Sequence, residues 1–498
     1  MIPFSLAVPV GLELTLLTVF VMIGGFGVSL ALSARDLGLA GATALHSLAG
    51  VLSLLARDLI ILLISWELLA FSAFWLIRRV SVPRRLLVSD ALPDTGGQAG
   101  GSRDAAARAS FWYIGGQICA AALFFVAITV HVGTGGSLEV APLASAAQPA
   151  MALGVFIKTA MMPLHGWLVG SYTRAGALAG FVLSAFATKV GVYTAARTLA
   201  VSLFSLPIVS VVGALVAVVA VIFALSQHSA RRLLSFHIIS QVAYMLVGVG
   251  LAGSATSATS AVGIDAGIFH AINHIIYKAL LFLVAAVAID YFGHDDLDRM
   301  GGLARHMPLV FVCGVVGALA ITGVPGFSGY ASKELLKKAS GGLLSTLLTV
   351  ASVGTALSFS KFIYLIFLRP RPRVDGNRPS VGRVPAFVLV VLAGLSVAIG
   401  LSPHRVPGAP MHDYYAVSSV LAGVWPAMLG IGLWVVSGRW LMRIRGAVDP
   451  QPMLRRMLAG FAKAALPPLR RAHATDAQLA LGITITAAIA ITSVLVFL

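Results

Sequence analysis

Residues 263–290 read GIDAGIFHAINHIIYKALLFLVAAVAID. A helix needs roughly 20 predominantly apolar residues to cross a bilayer, and this run exceeds that length. His270, His274 and Lys278 stand at four-residue steps, so all three line one face of such a helix. An ionisable residue at mid-bilayer is costly and usually faces a partner or a wet cavity, so this stretch predicts a membrane span with a polar inner face.

Outward from it, comparable runs recur nearly end to end. They predict spans at 13–33, 38–56, 59–77, 111–131, 150–170, 177–199, 206–227, 233–252, 263–290, 307–331, 343–368, 386–402, 416–437 and 476–497, about fourteen in all. The composition agrees: 58% of the 498 residues are hydrophobic, 11% are charged and the mean hydropathy is +0.95, far more apolar than a soluble domain. Lipid offers no partner to a free backbone group, so spans are helices or closed barrels, and the two-residue alternation of barrel strands is absent. The fold class read from the sequence is therefore an all-α polytopic membrane protein.

The net charge of +17 is explained by its distribution. Basic residues cluster in alternate loops: Arg78, Arg79, Arg84, Arg85, Arg103 and Arg108; Arg231 and Arg232; Arg369, Arg371, Arg373, Arg378 and Arg383; Arg439, Arg443 and Arg445. The connections 132–149 and 253–262 carry no Lys or Arg. This is the positive-inside pattern, which predicts cytoplasmic basic loops and both termini outside. No nucleic-acid partner is needed to account for the charge. Cys119 and Cys313 lie in apolar spans and suggest neither a disulfide framework nor a metal site. The N-terminus lacks the basic region and small-residue cleavage site of a removable signal peptide.

Between the third and fourth spans, VSDALPDTGGQAGGSRDAAARAS (residues 88–110) reads as a flexible loop. The segment from Asp449 to Arg471 mixes Leu and Met with Arg and Lys. It reads either as an amphipathic helix on the cytoplasmic face or as an ordinary solvated connector.

The ionisable residues inside the spans carry the functional information. Glu67 sits in LLISWELLAFSAF, Lys158 in VFIKTAMMPLHGW just before the helix-breaking Pro163, and Lys189 in LSAFATKVGVY. Lys333 and Glu334 follow a second interruption, ITGVPGFSGYASKELL, and Lys361 lies in LSFSKFIYL. Each position falls at a helix centre or a break. Lys337 and Lys338 read as a helix end whose side chains reach the outer surface. His165, His237 and Glu334 fit either a relay or a structural hydrogen bond; the same bland reading stays open for His274, and Glu67 fits a structural counter-ion. Together, a glutamate, several lysines and histidines on separate spans supply both signs of charge and a graded set of proton affinities, which suits proton transport.

Spacing adds symmetry. Lys158 at one break precedes Lys189 by 31 residues, and Lys333 at another precedes Lys361 by 28. Paired interrupted helices predict two inverted five-helix repeats, 38–200 and 201–370, after an N-terminal helix within 1–37 and before C-terminal helices in 371–498.

Several stretches resemble a known family. SWELLAFSAFWLI, KTAMMPLHGWL, TKVGVY, RRLLSFHIISQVAYMLVGVG, FHAINHIIYKALLFL, MGGLARHMP and GVPGFSGYASKELL occur in the family's order across about residues 40–370. The family is that of the antiporter-like subunits of respiratory complex I, Mrp-type multisubunit cation/proton antiporters and group 4 membrane-bound hydrogenases; TKVGVY and SFHIISQVAYML look like the D-type Mrp protein and its hydrogenase relatives. The resemblance implies a proton relay of Glu67, Lys158, Lys189, His270, His274, Lys278 and Lys333, to which the spacing from Lys333 adds Lys361. In it Glu67 and Lys158 form a pair that gates coupling to a neighbouring subunit, His270 lies on the central axis, and Lys333 exchanges protons with the outside. Family members usually begin with two further helices, and their proline-rich connection after the HxWL stretch is here VGSYTRAGALAG.

The function expected on these grounds is proton translocation within a multisubunit complex, as Mrp-type cation/proton antiport. The alternatives are a membrane-arm subunit of a complex I-like or hydrogenase/formate hydrogenlyase machine, a proton-conducting subunit for inorganic-carbon uptake, or a structural subunit. No catalytic residue, metal site or cofactor is expected in this chain. The expected partners are other integral membrane subunits, lipid, protons and Na+ or K+, in a bacterial or archaeal plasma membrane.

Overall fold

The computed structural model describes residues 10–79, 87, 99–199, 206–253, 257–370 and 380–443. Helices α1 (Leu12–Ser33), α2 (Leu37–Leu55), α3 (Leu59–Arg78) and α4 (Ala99–Gly133) lead into four short ones: α5 (Gln148–Lys158), α6 (Gly166–Tyr172), α7 (Ala177–Leu183) and α8 (Ala187–Thr198). The long helices α9 (Leu206–Leu225), α10 (Ala230–Gly250) and α11 (Ser257–Phe292) follow, then α12 (Leu303–His306), α13 (Pro308–Thr322) and α14 (Ser328–Ser340). Helix α15 (Gly342–Ile363) runs on into a π-helical turn, Tyr364–Leu368, before α16 (Arg383–Leu401) and α17 (Val417–Leu441).

Eleven helical segments among the described residues are long and apolar enough to cross a membrane, α7 and α8 together making one of them. Two further crossings are the broken pairs α5/α6 and α13/α14, where the sequence places its Pro and Gly interruptions. The expected span 476–497 and the segment Asp449–Arg471 lie outside the described residues. Among the described residues there is no β-strand; two isolated bridges, Asp58 with Glu139 and Ser229 with Asp296, tie loops together. Cys119 on α4 and Cys313 on α13 are both buried.

Helix starts follow local chemistry. Asp36 accepts from the Leu39 amide at the head of α2, Asp58 from the Ile60 and Ile61 amides at α3, and Ser229 from the Arg232 amide at α10. Each side-chain oxygen satisfies amide groups that a first turn leaves open. The loop expected over 88–110 is shorter than its composition suggested, because α4 already begins at Ala99. The run DAAARAS carries four Ala and an Arg, which are strong helix formers.

Contacts between loops sort the bundle into two ends. At one, Arg79 pairs with Asp36 at 3.0 Å, the Leu87 amide donates to Asp290, and Arg231 reaches the Ala175 carbonyl at 2.6 Å. At the other, the Leu59 amide donates to the Leu138 carbonyl, Leu143 to Thr198, and Thr15 to the Pro407 carbonyl. Among the described residues, Arg79 and Arg231, from two of the basic loops of the sequence, thus lie at one end of the bundle.

Helices α7, α8 and α10 are enclosed on all sides and α11 nearly so, forming the centre. Close approach there requires glycine: a Cβ on Gly248 would stand 2.6 Å from the Gly263 carbonyl oxygen, where α10 crosses α11. Gly329 is tighter still, its hypothetical Cβ falling 2.0 Å from the Ala320 carbonyl oxygen, so α14 is pressed against the end of α13.

Candidate functional site: a buried line of cationic side chains

Ending α5 at Lys158 frees backbone carbonyls inside the protein. The Trp167 indole, on α6, reaches back to the Ile157 carbonyl at 2.8 Å and satisfies one of them. Lys158 Nζ donates to the Trp66 carbonyl at 3.4 Å and lies 4.7 Å from the centre of the Trp66 ring. Glu67 is within electrostatic reach of Lys158. The expected Glu67–Lys158 ion pair is therefore looser than the resemblance implied, with the backbone and ring of Trp66 holding the ammonium.

Glu67 is half-buried. It shares a helical face with Ile64 and Phe71, which are 46% and 50% exposed on the outside of the bundle. Trp66, on the opposite side, is fully buried and donates to the Thr194 hydroxyl of α8 at 3.2 Å.

Lys189 occupies the first turn of α8, beyond a second break that the sequence did not signal with proline. Its Nζ donates to the Ser184 carbonyl at 2.5 Å and to the Thr188 hydroxyl at 3.3 Å. His274 and Lys278 on α11 are electrostatic neighbours of Lys189. On α11, the His270 and His274 rings lie 6.5 Å apart, and His270 Nδ1 is 2.9 Å from the Ser332 hydroxyl of α14. The side-chain nitrogens of His274, the Nζ of Lys278 and both amide atoms of Asn273 are buried with no hydrogen-bond partner among the described residues. Tyr244 and Tyr277 border this row, Tyr277 donating to Gln241 at 3.4 Å.

Lys333, on α14, donates to the Ile321 carbonyl at 2.6 Å, a group left open by the end of α13, and sits 4.9 Å from the Tyr244 ring centre. The two breaks are used differently: Lys158 closes the half-helix before its break, whereas Lys333 lies in the half-helix after its own. Beyond Lys333, Glu334 pairs with Lys337 at 3.6 Å. Lys337 is largely covered, its Nζ donating to the Ala422 carbonyl of α17 at 3.1 Å, so it does not end freely at the surface as expected. Lys338 does reach outward, 3.3 Å from His412 Nε2 in the α16–α17 connection. Partial burial and the nearby Lys338 ammonium lower the His412 pKa. Tyr330, one turn before Lys333 and Glu334, donates to the Tyr414 carbonyl at 2.5 Å, which ties the α16–α17 connection to α14.

Lys361 departs from its expected place at a helix centre. It lies in the last turn of α15 and donates to the Leu225 and Gln227 carbonyls, each at 2.8 Å, at the end of α9. His237 Nε2 is 2.8 Å from the Ser358 hydroxyl. His165 caps α6, its Nδ1 3.2 Å from the Pro163 carbonyl oxygen and its ring against Phe236. His46 was passed over in the sequence, although a lone histidine in an apolar span was the available signal. It is fully buried, hydrogen-bonded to Ser72 at 2.8 Å and an electrostatic neighbour of Lys158.

The family described as NADH:quinone oxidoreductase/Mrp antiporter, TM, matches residues 100–358, just over half of the chain. The chain belongs to this family. Among this family's curated members, it is 28% identical over 319 residues to the D component of the Na(+)/H(+) antiporter of Alkalihalophilus pseudofirmus, covering 59% of the chain and 63% of the relative. It is 26% identical over 373 residues to hydrogenase-4 component B of Escherichia coli, covering 68% of the chain and 54% of the relative. The chain spans about half the length of the curated relatives it matches. Its fold matches a chain in the structure of the Mrp complex from a Dietzia species with a TM-score of 0.68 at 22% identity, over 87% of this chain and 85% of that one. The antiporter-family fold and its multi-pass helical membrane architecture are thus established.

Proposed function

We propose that this antiporter-family protein conducts protons within a multisubunit membrane complex, along Glu67, Lys158, Lys189, His274, His270, Lys278 and Lys333. The observation that carries this reading is the row of buried nitrogens on α11 without hydrogen-bond partners among the described residues, flanked by Lys189 and Lys333. Buried polar atoms without a protein partner are normally satisfied by water, and water between fixed ammonium and imidazole groups supplies proton steps. Glu67, on an outward-facing stripe at mid-span, supports a partner protein at that surface, because a carboxylate facing lipid is costly. Other integral membrane subunits and lipid are the partners that follow. The basic end of the bundle would face the cytoplasm of a bacterial or archaeal cell, with the N-terminus outside.

The likeness to the D component of an Na(+)/H(+) antiporter favours cation/proton antiport. The likeness to hydrogenase-4 component B supports a second reading, in which the same relay is driven by redox chemistry in partner subunits. Proton flux in proteoliposomes of the intact complex, with and without sodium, separates them: sodium dependence is the antiport result. Flux unchanged in both Lys158→Ala and Glu67→Ala would show these charges to be structural.

A further inference from the structure

The cytoplasmic half of the second repeat contains a cluster that the relay above does not use. Asp298, in the loop between α11 and α12, lines a cavity of about 410 Å³ together with Tyr364, Arg369 and Met442. His228, in the α9–α10 connection, contacts Asp298 at 2.8 Å. Both side chains are partly exposed, at 19% and 24%. Lys361 is within electrostatic reach of Asp298 and fully buried. An ammonium has three N–H donors. The Leu225 and Gln227 carbonyls take two of them, which fixes the nitrogen and leaves one.

The cluster leads inward. Ser358 lies one helical turn before Lys361 and bonds His237, whose ring packs 4.7 Å from Phe359. Phe359 also carries the Lys278 ammonium at 5.9 Å from its ring centre, and Lys278 is an electrostatic neighbour of His237. Surface carboxylate and imidazole, buried amine, hydroxyl, imidazole and buried amine therefore succeed one another from the basic end of the bundle to the α11 row. Such a sequence can pass a proton without any group having to cross the membrane.

We propose that Asp298 and His228 form a cytoplasmic proton-collecting mouth that feeds Lys361 and, through Ser358 and His237, Lys278. A proton from cytoplasmic water adds to the Asp298 carboxylate, directly or by way of the His228 imidazole that contacts it. It is then passed to Lys361, as Lys361 gives up the proton on its free N–H toward Ser358 and His237, so each group returns to its starting state. The mouth opens into the second repeat, separately from Lys158 and Glu67. This inference rests on the proton-conducting reading of the chain.

The test uses inside-out membrane vesicles, which expose the basic end to the medium, with the native complex present and its assembly checked. Proton uptake after an acid jump is compared for wild type, Asp298→Asn, Lys361→Gln and Lys158→Ala, with and without formate or imidazole in the medium. General acid–base groups contribute factors of order 10² to 10⁴, so Asp298→Asn is expected to slow uptake about tenfold or more. A small acid diffusing into the 410 Å³ cavity should then restore much of it, beyond the uptake that the same acid carries across the bilayer in Lys361→Gln vesicles. A structural carboxylate would not be rescued in this way. Unchanged uptake in Asp298→Asn and Lys361→Gln, with Lys158→Ala inactive, would overturn the mouth and leave the relay standing. A loss that neither formate nor imidazole restores would also overturn it. Unchanged uptake in all three variants would overturn the relay as well.

Discussion

Replacing Ser332 by alanine removes the hydrogen bond that the structure gives His270, the 2.9 Å contact to Nδ1. Ser332 is buried beside Lys333, and His270 Nε2 has no partner among the described residues, so this contact sets the tautomer and orientation of the ring. A net hydrogen bond is worth about 1 kcal/mol. If that energy is needed to hold His270 in its transferring geometry, its loss raises the barrier by a similar amount, which slows transfer about fivefold. The assay is proton flux in proteoliposomes of the intact complex, run in H2O and in D2O. The expected result is a fivefold slower rate with a larger solvent isotope effect, and unchanged assembly. Flux and isotope effect equal to wild type in a fully assembled Ser332→Ala complex would refute the role given to His270.

Three further outcomes are expected. Gly329→Ala forces a methyl group against the Ala320 carbonyl, so the thermal stability of the complex should fall by about 1–3 kcal/mol, the range for overpacking; unchanged melting would mean that α14 moves freely. Asp295→Ala removes the acceptor for Ser229, the Arg231 amide and the Arg231 guanidinium, and should cost about 2–4 kcal/mol in the same melting assay. Because the His412 pKa is lowered, the contact with Lys338 is favoured above the ordinary histidine value of 6.5 and weakens as pH falls below it. A spin label at the exposed Met411 should therefore become more mobile between pH 7.5 and 5.5, and His412→Gln should abolish the change.

Much of this architecture was legible in the sequence because a bilayer imposes length and polarity rules that a soluble core does not. The breaks after Lys158 and before Lys333 were visible in Pro163 and in the Gly323–Gly329 cluster. The break between α7 and α8 was not, since Ser184–Phe186 carries neither proline nor glycine. Lys361 was placed at a helix centre because the run 343–368 shows neither that α-helical geometry gives way to a π-helical turn after Ile363 nor that the Leu225 and Gln227 carbonyls lie beside it. The loose contact between Glu67 and Lys158 was equally hidden, because spacing cannot show that a tryptophan lies between two spans. Asp298 and His228 escaped notice for a related reason: they sit in loops, where charge is commonplace, and gain meaning only from the buried lysine beside them.

The most direct test is Lys278→Met, measured for proton flux and thermal stability in the intact complex. Lys278 is fully buried and its Nζ has no hydrogen-bond partner among the described residues. Replacing a buried charge by an apolar side chain of similar volume is often neutral or stabilising. With Lys278 at the centre of the relay, flux is lost while the melting temperature holds or rises. Wild-type flux in this variant would contradict it, because protons would then be crossing without the centre of the proposed relay.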